Sequence, residues 1–165
     1  MNFKLIWVIF LITLVGQASS FAQESSGIPA FKTFTRYDNG NSFTVDSLSK
    51  QGINVLIFYD PGCGHCQELG FDISQNFESW SKNTSFYFIS MLEKADVDNY
   101  INRFAKNLCD QPNVLFLRDS IGEFITLFDP KTFPSTYIYS AESGKLIESY
   151  DGANATDKMR KHLVP

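Results

Sequence analysis

Cys63-Gly64-His65-Cys66 sets two thiols three residues apart, after the apolar run at residues 54–59 and the turn Asp60-Pro61-Gly62, at the opening of a stretch with helical periodicity. Thiols at that spacing on a helix start lie one turn apart and can close a small disulfide without moving the backbone far. The unpaired N–H groups and the positive end of the helix dipole favour an anion there. Such a setting lowers a Cys-X-X-Cys thiol from about 8.5 toward 3.5–7.5. The thiolate is the nucleophile, so Cys63, at the exposed end, is expected to attack, and Cys66 to sit sheltered behind it. A loop this small restrains the unfolded chain little, which points to redox use of the disulfide rather than structural use. Cys109 has no sequence-close partner and is read as a buried hydrophobe ahead of a reactive thiol.

Other uses of the pair fit less well. Haem attachment needs His directly after the second cysteine, and Gln67 stands there. A peroxidatic cysteine follows a Thr or Ser three residues earlier, where this chain has Asp60. A soft metal held by the pair with His65 or His162 is the non-enzyme alternative, without a second Cys or His cluster to complete it. A redox-inert binding domain using the 16 Phe and 7 Tyr is a further alternative, but most of those rings fall at core-facing spacing.

Residues 1–22 read as a secretory signal peptide: Lys4, an apolar run over 5–15, then small residues ending at Ala22. The run is shorter than the roughly 20 residues that span a bilayer, so no stable membrane insertion is expected after cleavage. Lys4 is the leader's one charge, so the remaining 143 residues carry 13 basic and 18 acidic groups, a net charge of −5. That balance excludes a nucleic-acid partner, which requires a basic face. Residues 23–30 read as a disordered polar lead-in and 31–165 as one domain, large enough for its own core.

The elements that must position the pair follow from pattern. Residues 34–37 and 42–45 flank Asp38-Asn39-Gly40-Asn41 as a β-hairpin, and Asp46-Ser47-Leu48 begins a short helical turn. The unalternating run 54–59 is expected as a central strand covered on both faces in a mostly parallel sheet. Cys66, Leu69, Ile73, Phe77 and Trp80 form one helical stripe, in which Gly70 costs about 1 kcal/mol against alanine. Residues 85–92 read as a strand, with Asp96 capping a helix striped by Val97, Ile101, Phe104 and Leu108. Residues 114–117 make another strand. Ser120-Ile121-Gly122-Glu123 has capping-box spacing ahead of Phe124, Ile125 and Phe128. Residues 136–139 and 145–150 form a closing hairpin before a helix holding Met159 and Leu163, which implies a mixed sheet with helices on both faces.

In three features the chain resembles the thioredoxin superfamily, and within it the exported reductase-like branch of the ResA and TlpA proteins. They are the strand leading into Cys63-Gly64-His65-Cys66, the Phe133-Pro134-Ser135 segment before an apolar strand, and the hairpin at 34–45; the extra strand–helix material between Ser85 and Leu117 fits that branch too. The likeness covers residues 31–163. It implies an α/β thioredoxin-like three-layer sandwich, a central mixed sheet with helices on both faces and an N-terminal β-hairpin. It also implies an exported, periplasmic thiol–disulfide oxidoreductase using a redox-active Cys63–Cys66 disulfide and acting on protein thiols and disulfides. A membrane or soluble electron donor is implied as partner; no cofactor and no metal are expected.

By the same resemblance Pro134 is a cis-proline facing the pair, where the neighbouring backbone can meet an extended substrate segment. Two positions depart from the family. Ile57 stands where thioredoxins bury an acid, and Leu69 where the branch often has a glutamate. Glu68, one residue short, is the candidate proton acceptor for Cys66 against the alternative of a solvated helix-face acid. The Gly64-His65 dipeptide resembles that of protein disulfide isomerases, and a protonated His65 would stabilise the Cys63 thiolate. The branch therefore implies a reductant, and the dipeptide an isomerase or oxidant.

Overall fold

The structure, a computed structural model, describes residues 27–80 and 83–163. The expected leader at 1–22 and the first part of the lead-in, 23–26, lie outside the described residues; Gly27 bridges Lys145.

Seven strands run in chain order as β1 Phe34–Arg36, β2 Ser42–Phe43, β3 Ile53–Phe58, β4 Thr84–Ser90, β5 Val114–Arg118, β6 Ser135–Ser140 and β7 Leu146–Asp151. Four helices join them: α1 Gly64–Asn76, α2 Lys94–Phe104, α3 Glu123–Phe128 and α4 Ala155–Leu163. The sheet order is β2-β1-β5-β4-β3-β6-β7. Only β3–β4 and β4–β5 are parallel. The hairpin β1–β2 joins antiparallel through β5, and β6–β7 antiparallel through β3, so the mostly parallel sheet expected around residues 54–59 is instead a parallel centre with antiparallel flanks.

The lack of alternation in β3 has a direct cause. Val55 and Ile57 enter one core with Leu69, Ile73, Phe86, Phe88, Met159 and Leu163, beneath α1, α2 and α4. Leu56 and Phe58 enter the opposite core with Phe34, Phe43, Ile89, Leu117 and Phe124. Both faces are apolar because both are covered. Among the described residues the second face carries one α-helix, of six residues, and aromatic stacking adds to its cover: Phe31–Phe34 at 4.4 Å, Phe58–Phe124 at 4.8 Å and Phe124–Phe128 at 4.0 Å between ring centroids.

Three local expectations differ from the structure. The N-cap of α2 is Glu93, and Asp96 lies inside the first turn, where an acid suits the helix dipole without capping. The 120–123 capping box does not form. Asp119, fully buried, caps α3 by accepting the N–H groups of Glu123 at 3.0 Å and Phe124 at 2.8 Å. Glu123 instead reaches the N-terminal segment, where its carboxylate accepts from Lys32 N–H and from the N–H and Oγ1 of Thr33. Cys109 is exposed, because the stripe ends on Leu108 and the next residue of that 3₁₀ turn points outward.

Candidate functional site

The carboxyl end of β3 and the start of β6 are antiparallel neighbours, with Phe58 opposite Ser135. That pairing alone brings the segment after β3 beside the segment before β6. In the first, the Asp60 carboxylate accepts Gly62 N–H at 2.7 Å and the Asp60 carbonyl accepts Cys63 N–H at 3.0 Å, a turn for which Asp, Pro and Gly in succession are well suited. Cys63 thereby becomes the N-cap residue of α1, its carbonyl accepting Gln67 N–H at 3.0 Å while Gln67 Nε2 returns to the Pro61 carbonyl at 2.9 Å.

In the second segment the Phe133–Pro134 peptide is cis and Pro134 is buried. The Pro134 carbonyl accepts Gly152 N–H at 2.8 Å. Phe133 turns its carbonyl toward the cysteines: Cys63 Sγ lies 4.0 Å from it. Cys63 is partly exposed and Cys66 fully buried, and the two thiols are within hydrogen-bond reach. Burial pushes the Cys66 thiol well above the usual thiol range, and the neighbouring Cys63 thiol and Asp60 carboxylate add to the shift, against an opposing hydrogen bond from the Asp60 backbone. The arrangement is one accessible sulfur at a helix start, one protonated sulfur behind it, and a backbone carbonyl beside the first.

His65 and Glu68 lie outside this inner set. His65 Nδ1 and Glu68 Oε2 are 3.4 Å apart, with side chains 58% and 75% exposed. Both line a cleft with Asp72, Pro134, Asn154 and Asp157 that opens beside the pair. Glu68 faces solvent while Cys66 points into the core, so Glu68 stands where a solvated helix-face acid would stand. His162, the other imidazole weighed for a metal, bonds Tyr150 Oη at 3.1 Å on α4. Among the described residues no three His, Cys, Asp or Glu side chains gather as ligands.

Two further residues lie close to the pair, Asp60 of the expected turn and Tyr100, which the sequence patterns did not single out. Asp60 shapes the turn, and Tyr100 of α2 donates its hydroxyl to the Cys66 carbonyl at 2.9 Å. Tyr100 falls three residues after Val97 on the α2 stripe, and that spacing was the available signal.

No family model matches the chain. It is 27% identical over 160 residues, 96% of its own length, to the protein disulfide-isomerase of Ricinus communis, and 25% identical over 146 residues to protein disulfide isomerase-like 1-1 of Arabidopsis thaliana. It spans about a quarter of each of those relatives, 26% and 24%. Its structure is similar to MTB dsbF, with a TM-score of 0.64, 19% identity, and 80% of this chain and 91% of that one covered. It is also similar to a secreted Mycobacterium tuberculosis disulfide oxidoreductase, with a TM-score of 0.63, 20% identity and coverage of 80% and 92%. A thiol-disulfide oxidoreductase from Bacteroides fragilis matches with a TM-score of 0.61, 18% identity and coverage of 82% and 98%. With this sheet order, a cis-proline facing a Cys-X-X-Cys pair and these shared folds, the chain has the thioredoxin-like fold.

Proposed function

We propose that the protein is an exported thiol–disulfide oxidoreductase that exchanges disulfides with protein substrates, acting as a reductant. The observation that carries the reading is the pairing of a partly exposed Cys63 at the start of α1 with a buried Cys66, opposite the Phe133 carbonyl and Pro134. The Cys63 thiolate attacks one sulfur of a substrate disulfide, forming the Cys63–substrate bond and releasing the other substrate sulfur as a thiolate. Cys66 then attacks Cys63 Sγ, the Cys63–Cys66 bond forms, and the second substrate sulfur leaves and takes up a proton equivalent to the one Cys66 lost. The enzyme gives up two electrons and the substrate gains them. An extended substrate segment would lie along the Phe133–Pro134 strand start and pair with the Phe133 carbonyl. His65 tunes Cys63 from the rim, with Glu68 as its partner.

Export rests on the leader-like residues 1–22 and on the secreted protein among the structural neighbours. No helix among the described residues is long and apolar enough to cross a membrane. A periplasmic home and an electron donor that re-reduces the pair complete the proposal.

Cys66→Ser, mixed with a peptide disulfide, is expected to accumulate a covalent Cys63–peptide adduct seen by intact mass, and Cys63→Ser to form none. An adduct at Cys109 instead would overturn the assignment. The likeness to protein disulfide isomerases and the Gly64-His65 dipeptide favour a second reading, an isomerase or oxidant with the same residues, which differs in reduction potential.

A further inference from the structure

α1 carries a notch on its inner face, and a phenol from α2 fills it. Gly70 lies one turn beyond Cys66, and a Cβ placed there would meet Tyr100 Oη at 2.1 Å and Cζ at 2.7 Å. The glycine therefore exists where the Tyr100 hydroxyl enters the helix surface, and the hydroxyl ends on the Cys66 carbonyl at 2.9 Å, fully out of water. The same ring packs on Tyr59 at 4.7 Å between centroids, and Tyr59 stands edge-on to Phe88 at 5.8 Å. Tyr59 is the first residue after β3, its N–H held by the Ile89 carbonyl at 3.0 Å. One side chain thus touches both ends of the segment 59–66 that carries Cys63 at its tip.

We propose that Tyr100 is a positioning residue for Cys66, its hydroxyl holding the first turn of α1 so that the buried sulfur meets Cys63 when Cys63 is bonded to substrate. This rests on the exchange reaction proposed above. Attack of Cys66 on Cys63 Sγ needs the two sulfurs aligned with the leaving sulfur, and a small misplacement of an attacking group costs rate steeply. Cys63 attacks an incoming disulfide from the open side and does not depend on that alignment. The tie therefore acts on resolution and leaves the first attack alone. A role confined to stability would not separate the two steps.

The test compares the full chain with Tyr100→Phe and with Tyr137→Phe, a control that removes an equivalent phenol–carbonyl bond, Tyr137 Oη to the Phe128 carbonyl at 2.9 Å, from the opposite core. Reduced protein is mixed with glutathione disulfide, quenched in acid at intervals and weighed, so that the Cys63–glutathione adduct and its conversion to the internal disulfide are followed separately. Alkylation of Cys63 by iodoacetamide reports the first-attack nucleophile, and urea unfolding reports stability. Tyr100→Phe is expected to slow conversion of the adduct by about 3- to 10-fold, the range of one lost hydrogen bond, with Cys63 alkylation unchanged. Tyr137→Phe is expected to convert at the wild-type rate whatever its stability. Conversion by Tyr100→Phe within twofold of wild type, or an equal slowing of alkylation, would overturn the proposal. A wild-type chain that forms neither adduct nor internal disulfide would overturn the exchange reaction itself, and the role of Tyr100 with it.

Discussion

The Cys66 thiol keeps its proton in the folded, reduced protein because burial raises its pKa, and this sets a pH signature for the proposed reaction. The resolving thiolate is a small fraction of the total throughout the neutral range, so resolution should accelerate roughly tenfold per pH unit between pH 6 and 8. A flat profile measured by rapid quench would contradict a buried, protonated Cys66. The linked effect on stability has the opposite sense. A thiol whose folded pKa is raised binds its proton more tightly in the folded state, so the reduced form holds its stability below the ordinary thiol range, about 8.5, and loses it as pH rises above that. Cys109 is exposed on its turn, away from the pair in the sequence, and Cys109→Ser is expected to leave exchange unchanged and remove one of three alkylatable thiols. The placement of Cys63, Cys66 and a cis Pro134 beside one another was legible in the sequence because they are local motifs with fixed neighbours. The Asp60 turn was legible for the same reason, whereas Tyr100 was not, since it acts through a contact across 34 residues.

Helix α1 shows how tertiary contact reverses a propensity argument. By propensity Gly70 weakens the helix, and alanine would gain about 1 kcal/mol. The Tyr100 phenol occupies the space that a Cβ needs, and overpacking of a filled core costs about 1–3 kcal/mol. Gly70→Ala should therefore lower the urea midpoint; a raised midpoint would show that the notch is not filled. Helix α3 makes a parallel case. Ser120 to Glu123 has the spacing of a capping box, yet the buried Asp119 takes the backbone donors and Glu123 is free to tie down Lys32 and Thr33. Burial alone would raise the Glu123 carboxyl, but the bonds from Thr33 and Lys32 outweigh it and hold it below its ordinary value. The tie is thus in place above the unfolded glutamate range, about 4.3, and is lost as pH falls through the lower folded value. Glu123→Gln should lower the melting temperature at pH 7 and flatten the loss of stability on acidification; an acid limb as steep as that of wild type would place the sensitive carboxyl elsewhere.

Across the whole molecule, the order of strands and helices followed from periodicity, because β3, α1 and the terminal hairpin each carry a long or well-punctuated signal. The mixed character of the sheet followed as well, from the two hairpins, but which strands flank β3 did not. Parallel and antiparallel partners of β3 demand the same two-faced burial, and nothing in residues 53–58 distinguishes β4 from β6 as neighbour. Part of the aromatic richness has a local use: on the face that carries the short α3 among the described residues, the stacked rings of Phe31, Phe34, Phe58, Phe124 and Phe128 do the covering that α1, α2 and α4 do on the other. The large apolar side chains left in water include Met91, Ile121 and Ile125, and Met91 and Ile125 lie against Gly122 at the head of α3. Ile125 shares a shallow hollow with Phe58 and Phe133, and Phe133 is the residue whose carbonyl faces Cys63.

The most direct test is the redox equilibrium of the cysteine pair itself. The purified chain is brought to equilibrium in graded thiol–disulfide buffers, acid-quenched, alkylated and weighed. A reversible two-electron transition is predicted, with Cys63 and Cys66 protected together in the oxidised form and Cys109 alkylated throughout. A midpoint near or below about −250 mV is predicted for a reductant, whereas about −120 to −180 mV would assign the isomerase or oxidant role instead. No reversible transition, or one that engages Cys109, would contradict disulfide exchange at Cys63 and Cys66.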